Sequence, residues 1–335
     1  MSQQQPRRWP WPAGAATAAG SLPGVDPDEA IRTVFGELPL LPFLPELPDR
    51  GPGGAMIGRT GALLAELPVE IAPSGWRLTS HPGRDMRRAR DFLAWDLDAL
   101  ERHAADHDGA LKLQLVGPWT LAASLELPSG NPVVADSGAT RDLAQSLADG
   151  LRSHLAEVQR RLPSASLVVQ LDEPSLPAVL AGRIKTPSGF GTVRSVERAV
   201  VGQALRDVLD VIAPGSRAVH CCAADVPLDL VREAGADAVS IDVAHVTDLD
   251  ALGEAVEAGC SLWLGTVPGV DGPVSLDAAR GPIERIWTSL GFAREQLPER
   301  VVPTTACGLA GASPQYVRRA LAVLRDTGRA ILESE

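Results

Sequence analysis

The sequence has few cysteines, no long apolar run and a deficit of positive charge. Four cysteines in 335 residues are too few for the disulfide framework of a small secreted domain. No apolar run approaches the roughly 20 residues that a membrane-spanning helix needs. Acidic residues outnumber basic ones, 42 to 31, which argues against nonspecific binding of nucleic acid or of anionic membranes. We therefore expect a globular, cytoplasmic protein with no nucleic-acid or membrane partner.

The N-terminus carries two arginines followed by prolines and small residues, in the stretch RRWPWPAGAATAAG at residues 7–20. A secretion signal needs a continuous apolar core, which this proline-containing stretch does not supply. We predict that residues 1–16 form a disordered tail and that residues 17–335 form a single domain.

Short apolar runs alternate with longer amphipathic ones along the rest of the chain. Alternation of this kind predicts a parallel sheet covered by helices, and about eight such units in this length favour a closed barrel. The predicted fold is α/β, a (β/α)8 TIM barrel. The nine strand candidates are residues 16–24, 42–48, 69–75, 111–118, 167–174, 217–223, 238–245, 262–269 and 301–309. A barrel of this type has eight strands, so one of the nine candidates must lie outside it. We assign residues 69–75 to an insertion or hairpin.

Polar residues cluster at the predicted carboxyl ends of these strands, where barrels of this type carry their chemistry. They are Ser21, Glu46, Asp172 with Glu173, His220 with Cys222, Asp242, Thr266 and Cys307. Glu173 follows Asp172 directly and therefore has the opposite strand parity, so we expect a structural role for it.

A histidine and two cysteines from this set predict a metal site. His220 and Cys222 are two residues apart, so both side chains share one face of the strand, whereas Cys221 points the other way. Cys307 follows the last strand and reaches the same end of the barrel. One histidine and two cysteines form a zinc ligand set with an open fourth position, for which Asp242 is the candidate. Cys221 and Cys260 are expected to pack as small buried hydrophobes.

The order of the short motifs resembles the C-terminal catalytic barrel of cobalamin-independent methionine synthases. That family carries G-S-F-P, G-P-V-T, I-D-E-P-A-L, H-x-C, an acidic residue after I-S-I, and C-G-L. This chain has GSLPG at 20–24, GPWTL at 117–121, LDEPSL at 171–176, HCC at 220–222, VSID at 239–242 and CGL at 307–309. Several motifs that occur in the same order as in the family identify it far more specifically than any single motif does. The resemblance extends over residues 17–335.

The resemblance implies a zinc-dependent methyltransferase in which homocysteine receives a methyl group and becomes methionine. Asp172 would bind the ammonium of homocysteine, and the backbone of Gly20 and Ser21 its carboxylate. Glu46 matches a second ammonium-binding acid, so Asp172 and Glu46 are the expected catalytic and substrate-binding acids. His220, Cys222, Cys307 and Asp242 would hold Zn²⁺. The methyl donor would be methyltetrahydrofolate or a methylcorrinoid, with a corrinoid or accessory protein as a possible partner.

The chain departs from the family pattern in ways that concern the methyl donor. Asp242 stands where the family has glutamate, and Thr266 stands where it has a histidine linked to proton transfer. The basic residues that follow the family's last cysteine have no counterpart at residues 309–313, and we expect the protein to lack the family's long N-terminal barrel. We therefore expect a methylcorrinoid or a partner-delivered methyl group to serve better than free folate.

Two other interpretations of the motifs remain open. One is a related barrel methyltransferase that acts on another thiol or takes its methyl group from a corrinoid protein. The other is a metal-binding relative without catalysis, serving as a carrier or partner protein. Uroporphyrinogen decarboxylase shares the barrel type but needs no metal, and the histidine and cysteines argue against it.

Overall fold

The computed structural model describes residues 9–333. Its helices are α1 (Pro27–Glu37), α2 (Met56–Leu63), α3 (Arg84–Ala104), α4 (Pro118–Ser124), α5 (Ser137–Arg161), α6 (Leu176–Leu180), α7 (Arg198–Leu209), α8 (Leu228–Glu233), α9 (Leu249–Glu257), α10 (Leu276–Leu290), α11 (Leu297–Arg300) and α12 (Pro314–Glu333). Its strands are β1 (Val69–Ala72), β2 (Gly75–Leu78), β3 (Ala110–Val116), β4 (Leu125–Glu126), β5 (Ser166–Asp172), β6 (Arg217–Cys221), β7 (Ala238–Asp242), β8 (Ser261–Val267) and β9 (Val301–Thr305). No helix within these residues has the length and apolarity to cross a membrane.

Six strands form one parallel sheet in the order β3-β5-β6-β7-β8-β9. The sheet is curled and is consistent with a TIM-like barrel, so the α/β class and parallel topology predicted from the alternating pattern are confirmed. A separate small sheet joins β1, β2 and β4, and β1 pairs with β2 as an antiparallel hairpin. Residues 69–75 are thus part of a hairpin outside the main sheet, as predicted.

Two extended segments connect the edges of the six-stranded sheet. Residues 17–22 lie beside β9, and residues 42–47 lie beside β3. The linking backbone hydrogen bonds are Thr17 N to Pro303 O (3.1 Å), Leu44 N to Lys112 O (3.0 Å), Glu46 N to Gly20 O (3.1 Å) and Leu22 N to Glu46 O (2.9 Å). These segments occupy the places predicted for the first two barrel strands.

Neither extended segment forms a regular strand, so six regular strands make up the main sheet within residues 9–333 and closure into an eight-stranded barrel stays a prediction. Pro42, Pro45 and Pro48 have no backbone N–H, so residues 42–48 cannot complete a ladder of hydrogen bonds. Gly20 has a φ of 148°, which also interrupts the regular extended backbone. Side chains and isolated backbone bonds hold these segments instead.

The N-terminal residues that the structure describes are packed into the fold. Trp9 and Trp11 are buried, their rings stack with centroids 5.8 Å apart, and Trp11 meets Trp263 edge-on at 5.3 Å. Residues 9–16 therefore do not belong to a disordered tail, because their apolar rings fill the end of the sheet where the strands begin. Residues 1–8 of the predicted tail lie outside the described residues.

One long helix has only a weak helical pattern in the sequence. α10 follows β8 and contains Gly281 and Pro282, residues that weaken a helical pattern when it is read from sequence. Ser275 caps its first turn by accepting a hydrogen bond from Ala278 N at 3.2 Å.

Candidate active site

His220, Cys222 and Cys307 meet at the carboxyl end of the sheet. Their ligand atoms all lie within 4.8 Å of one another, and the two sulfur atoms are 3.6 Å apart. Within residues 9–333, no other group of three histidine, cysteine or acidic side chains meets at this spacing. The cluster has the ligand number and chemistry of a zinc site that keeps an open coordination position.

The local structure explains why these three side chains converge. His220 lies in β6 and is buried, Cys222 follows directly after that strand, and Cys307 lies in the loop after β9. Cys221 is the intervening residue, is buried, and does not belong to the cluster. Burial raises the pKa of Cys221 to about 12, as expected for a cysteine that packs as a hydrophobe.

Ser240 orients the imidazole of His220. The Nδ1 atom of His220 lies 2.9 Å from the Ser240 hydroxyl oxygen, which leaves Nε2 to meet the thiols. A partner at the other ring nitrogen is typical of metal-binding histidines because it fixes the tautomer and the ring plane. Sequence reasoning missed Ser240, because its position directly beside His220 is set by the parallel register of β6 and β7, which no motif in the sequence marks.

The two thiols lie 3.6 Å apart and influence each other's pKa. Hydrogen bonds from Cys222 and His220 lower the pKa of Cys307, and the hydrogen bond with Cys307 raises the pKa of Cys222. A site that stabilises a thiolate beside an oriented imidazole fits zinc, since the metal binds the thiolate and the neutral imidazole.

Asp242 lies near the cluster but outside it. Its carboxylate accepts a hydrogen bond from Ala244 N at 2.9 Å and lies 3.6 Å from Nδ1 of His245. His245 in turn donates from Nδ1 to the carbonyl oxygen of Cys222 at 3.0 Å. In this arrangement Asp242 caps the turn after β7, and its role as a fourth metal ligand stays a prediction.

Two acids predicted to bind substrate are buried close to the cluster. Asp172 is the backbone neighbour of His220 across the β5–β6 pair, and it accepts a hydrogen bond from Gln170 Nε2 at 2.7 Å. Glu46 is 3% exposed, and its Oε1 has no hydrogen-bond partner among the described residues. Burial raises the pKa of Asp172, and it raises the pKa of Glu46 to about 7.

Gly20 and Ser21 lie between these acids and the loop that carries Cys307. Ser21 pairs with Glu46 in an isolated parallel bridge, and Leu309 N donates to the Ser21 carbonyl at 2.8 Å. A Cβ on Gly308 would lie only 2.0 Å from the Ser21 hydroxyl oxygen. A side chain at position 308 would have to displace the Ser21 hydroxyl, so the predicted substrate-binding segment packs directly against the loop that carries Cys307.

Glu173 has a structural role, as its strand parity indicated. Its carboxylate accepts hydrogen bonds from Trp119 N (2.9 Å), Thr120 N (2.7 Å) and the Thr120 hydroxyl (2.8 Å). These donors belong to the first turn of α4, so the LDEPSL motif caps the helix that the GPWTL motif begins. Two of the sequence motifs are therefore one structural unit.

Thr266 lies in β8, half-buried, and its hydroxyl has no hydrogen-bond partner among the described residues. A threonine hydroxyl does not titrate near neutral pH. The position therefore offers no acid or base to a reaction.

Comparison with known proteins agrees with the motifs. The family model described as the catalytic domain of cobalamin-independent synthase matches residues 103–330. The chain belongs to this family. The fold is also similar to that of a B12-independent methionine synthase from Shewanella sp. W3-18-1 in complex with selenomethionine, with a TM-score of 0.59 and 13% identity. That match covers 96% of this chain and 98% of the Shewanella chain.

A second solved structure shows a weaker similarity. The β-methylaspartase of Clostridium tetanomorphum gives a TM-score of 0.45 at 12% identity, over 96% of this chain and 59% of that one. No protein with a curated description matches the sequence. The family of this chain is therefore assigned from the match to the catalytic-domain model. The Shewanella structure supports the fold alone.

Proposed function

We propose that this member of the cobalamin-independent synthase family is a zinc-dependent methyltransferase that converts homocysteine to methionine in the cytoplasm. The observation that carries the proposal is the meeting of His220, Cys222 and Cys307 beside the two buried acids Glu46 and Asp172. The cluster suits a zinc ion, and the acids suit the ammonium group of an amino acid. A thiol-containing amino acid is the ligand class that satisfies both.

The chain's own residues would hold and orient the substrate. His220, Cys222 and Cys307 would bind zinc, with Asp242 as a candidate fourth ligand. When bound, zinc lowers the pKa of a coordinated thiol and makes a thiolate available near neutral pH. Glu46, whose Oε1 has no hydrogen-bond partner among the described residues, and Asp172 would receive the substrate ammonium, and the backbone of Gly20 and Ser21 its carboxylate.

The protein's residues favour a donor that needs no protonation. In the transfer, a sulfur–methyl bond forms as the methyl–donor bond breaks, and the thiol proton is lost. A methyl group on a folate nitrogen becomes a good electrophile only after that nitrogen is protonated, and Thr266 offers no proton. We therefore propose a methylcorrinoid, free or carried by a partner protein, as the better donor.

The test is an assay of the zinc-loaded protein with homocysteine and, separately, methylcobalamin and methyltetrahydrofolate. We expect methionine to form faster with methylcobalamin. Rapid turnover with the folate alone would refute the donor proposal, and no methionine with either donor would refute the activity.

Three cysteine variants test the metal site. Cys222→Ser and Cys307→Ser are expected to lose zinc and methyl transfer together, since each removes a thiolate ligand. Cys221→Ser is the matched control and should retain both, because Cys221 lies outside the cluster. Full zinc content in both of the first two variants would contradict the site.

A further inference from the structure

One face of helix α3 is rich in arginine, although the chain as a whole has an excess of acids. Residues 84–90 contain four arginines and one aspartate, whereas the whole chain has 42 acidic and 31 basic residues. Arg84, Arg87 and Arg88 are exposed and make no ion pair within the part of the chain that the structure describes. Arg87 donates one hydrogen bond to the Pro82 carbonyl at 3.2 Å. The charges of these three side chains are therefore available to a partner.

The position of the three arginines does not favour the helix. A helix N-terminus carries a partial positive charge, which stabilises acidic side chains in the first turn and destabilises basic ones. Arg84 is the first residue of α3, and Arg87 and Arg88 follow within the next turn. Like charges three and four residues apart on a helix also repel each other. Charges that oppose the stability of their own element are expected where they serve binding.

An exposed tryptophan extends the same face of the helix. Trp95 is 56% exposed and lies seven residues after Arg88, so the two side chains are on the same side of α3. The rings of Trp95 and Phe92 are 5.6 Å apart, and the Arg88 guanidinium lies 5.3 Å from the centre of the Phe92 ring. Phe92 therefore holds both side chains in place. Tryptophan and arginine are enriched where protein surfaces bind each other.

This face lies toward the end of the main sheet that carries the candidate site. The second half of α3 packs against β3 in a cluster that includes Leu97, Leu100 and Leu113. The helix ends at Ala104, shortly before β3 begins at Ala110. Helix and strand therefore run in opposite directions, and the first turns of α3 lie toward the carboxyl end of the strand. A partner bound there would be on the same side of the molecule as the histidine and cysteine cluster.

We infer that Arg84, Arg87, Arg88 and Trp95 form a docking surface, the α3 basic face, for a partner protein with an acidic surface. The four residues extend over about 16 Å of helix. A convex helix face of this length suits a row of carboxylates on another protein, whereas a small anion binds in a concave site. Asp91 is exposed between the arginines and Trp95, and it reduces the positive charge of the face without cancelling it.

Charge also favours a protein over a membrane or a nucleic acid as the partner. The chain has a net charge of −11. A membrane or a nucleic acid is anionic over its whole extent and would be repelled by the acidic remainder of the chain. A protein can confine its acidic groups to the contact with the α3 basic face. The inference does not depend on the proposed methyl transfer, because it rests on this surface alone.

The first experiment uses no partner and compares thermal unfolding. Arg84→Gln/Arg87→Gln should raise the unfolding midpoint by about 1–3 °C, because the removed charges oppose the helix dipole and each other. Arg152→Gln/Arg285→Gln is the matched control, since it removes the same charge from exposed positions on α5 and α10, and it should not raise the midpoint. A lower midpoint in the first variant would show that its arginines serve the fold and would overturn the inference.

The second experiment measures binding of a dye-labelled peptide of repeated Glu-Glu-Leu units by fluorescence anisotropy, at low ionic strength, where surface charges are little screened. Arg84→Gln/Arg87→Gln should raise the Kd by about 5- to 10-fold, and Arg152→Gln/Arg285→Gln should leave it unchanged. Trp95→Ser should weaken binding by a similar factor, whereas Trp95→Tyr keeps an aromatic ring and should retain most of the affinity. An unchanged Kd in Arg84→Gln/Arg87→Gln would overturn the inference.

Two further probes test the class of partner. Phosphatidylserine vesicles and a DNA duplex carry charge of the same sign as the peptide, and the wild-type protein should bind both more weakly than the peptide. Tighter binding of either probe, lost in Arg84→Gln/Arg87→Gln, would show that the α3 basic face binds a membrane or a nucleic acid. That result would overturn the assignment to a protein partner.

Discussion

Ser240 decides which nitrogen of His220 is available to a metal. The strand register places the two residues side by side, and the hydroxyl engages Nδ1 at 2.9 Å. The arrangement depends on a residue that carries no chemistry of its own and that the metal-ligand spacing does not identify. We therefore expect the zinc affinity of the site to depend on Ser240 in the neighbouring strand as well as on the ligands.

We predict that Ser240→Ala lowers zinc affinity about 10- to 100-fold while the fold is retained, because the imidazole loses the partner that orients it. Competition with a chelator of known affinity measures the change. Ser240→Thr keeps the hydroxyl and should keep most of the affinity. Equal affinity in the alanine variant and the wild type would show that Ser240 does not orient the ligand.

Glu173 stabilises the start of helix α4 and has a structural role. Its buried carboxylate receives two backbone N–H groups and one hydroxyl at the start of α4. Those donors have no other partner at a helix start, so the carboxylate replaces the hydrogen bonds that the helix cannot make itself. The acid next to Asp172 in sequence thus stabilises the helix that follows β3.

We predict that Glu173→Ala lowers the free energy of unfolding by about 2–4 kcal/mol, because buried donors lose their acceptor. Denaturant unfolding measures the change. Asp26→Ala is the matched control, since Asp26 caps α1 in the same way but is exposed, and it should cost about 1 kcal/mol. Equal costs would mean that burial does not make the Glu173 cap more important.

At the scale of the whole molecule, tryptophans pack where the strands of the main sheet begin, and the candidate site lies where those strands end. Trp9, Trp11 and Trp263 pack with small residues near the starts of the strands, including Ala218 and Ala238. The small side chains leave room for the rings of the N-terminal segment. The cluster of His220, Cys222 and Cys307 lies at the opposite ends of the strands.

We predict that Trp11→Ala destabilises the protein by about 3–5 kcal/mol, because a buried ring is replaced by a cavity. Trp95→Ala, at a tryptophan that is 56% exposed, is the control and should cost less than about 1 kcal/mol. Thermal unfolding compares the two variants. Zinc content should be unchanged in both, and its loss in Trp11→Ala would show that the two ends of the sheet are coupled.

The sequence alone was enough to predict the parallel α/β class, the family and the three side chains proposed as metal ligands. The class follows from the alternation of apolar runs, and the face shared by His220 and Cys222 follows from the period of two in a strand. Cys307 was predicted from its place after the last strand and from the order of the family motifs. His220, Cys222 and the burial of Cys221 follow from strand parity alone. The hairpin at residues 69–75 was predicted because the strand candidates exceeded eight.

Tertiary structure alone decided the features that depend on contacts between distant segments. The packing of Trp11 against Trp263, the contact of Ser240 with His220, and the hydrogen bond from buried Lys112 to the Ala19 carbonyl join distant segments. Residues 16–48 contain apolar runs that look like strands in the sequence. The prolines and the glycine within these runs prevent regular strand pairing, so the pattern alone predicted strands that do not form. Hydrogen bonds and burial between distant segments have no period along the chain, and for that reason they appear only when the chain is folded.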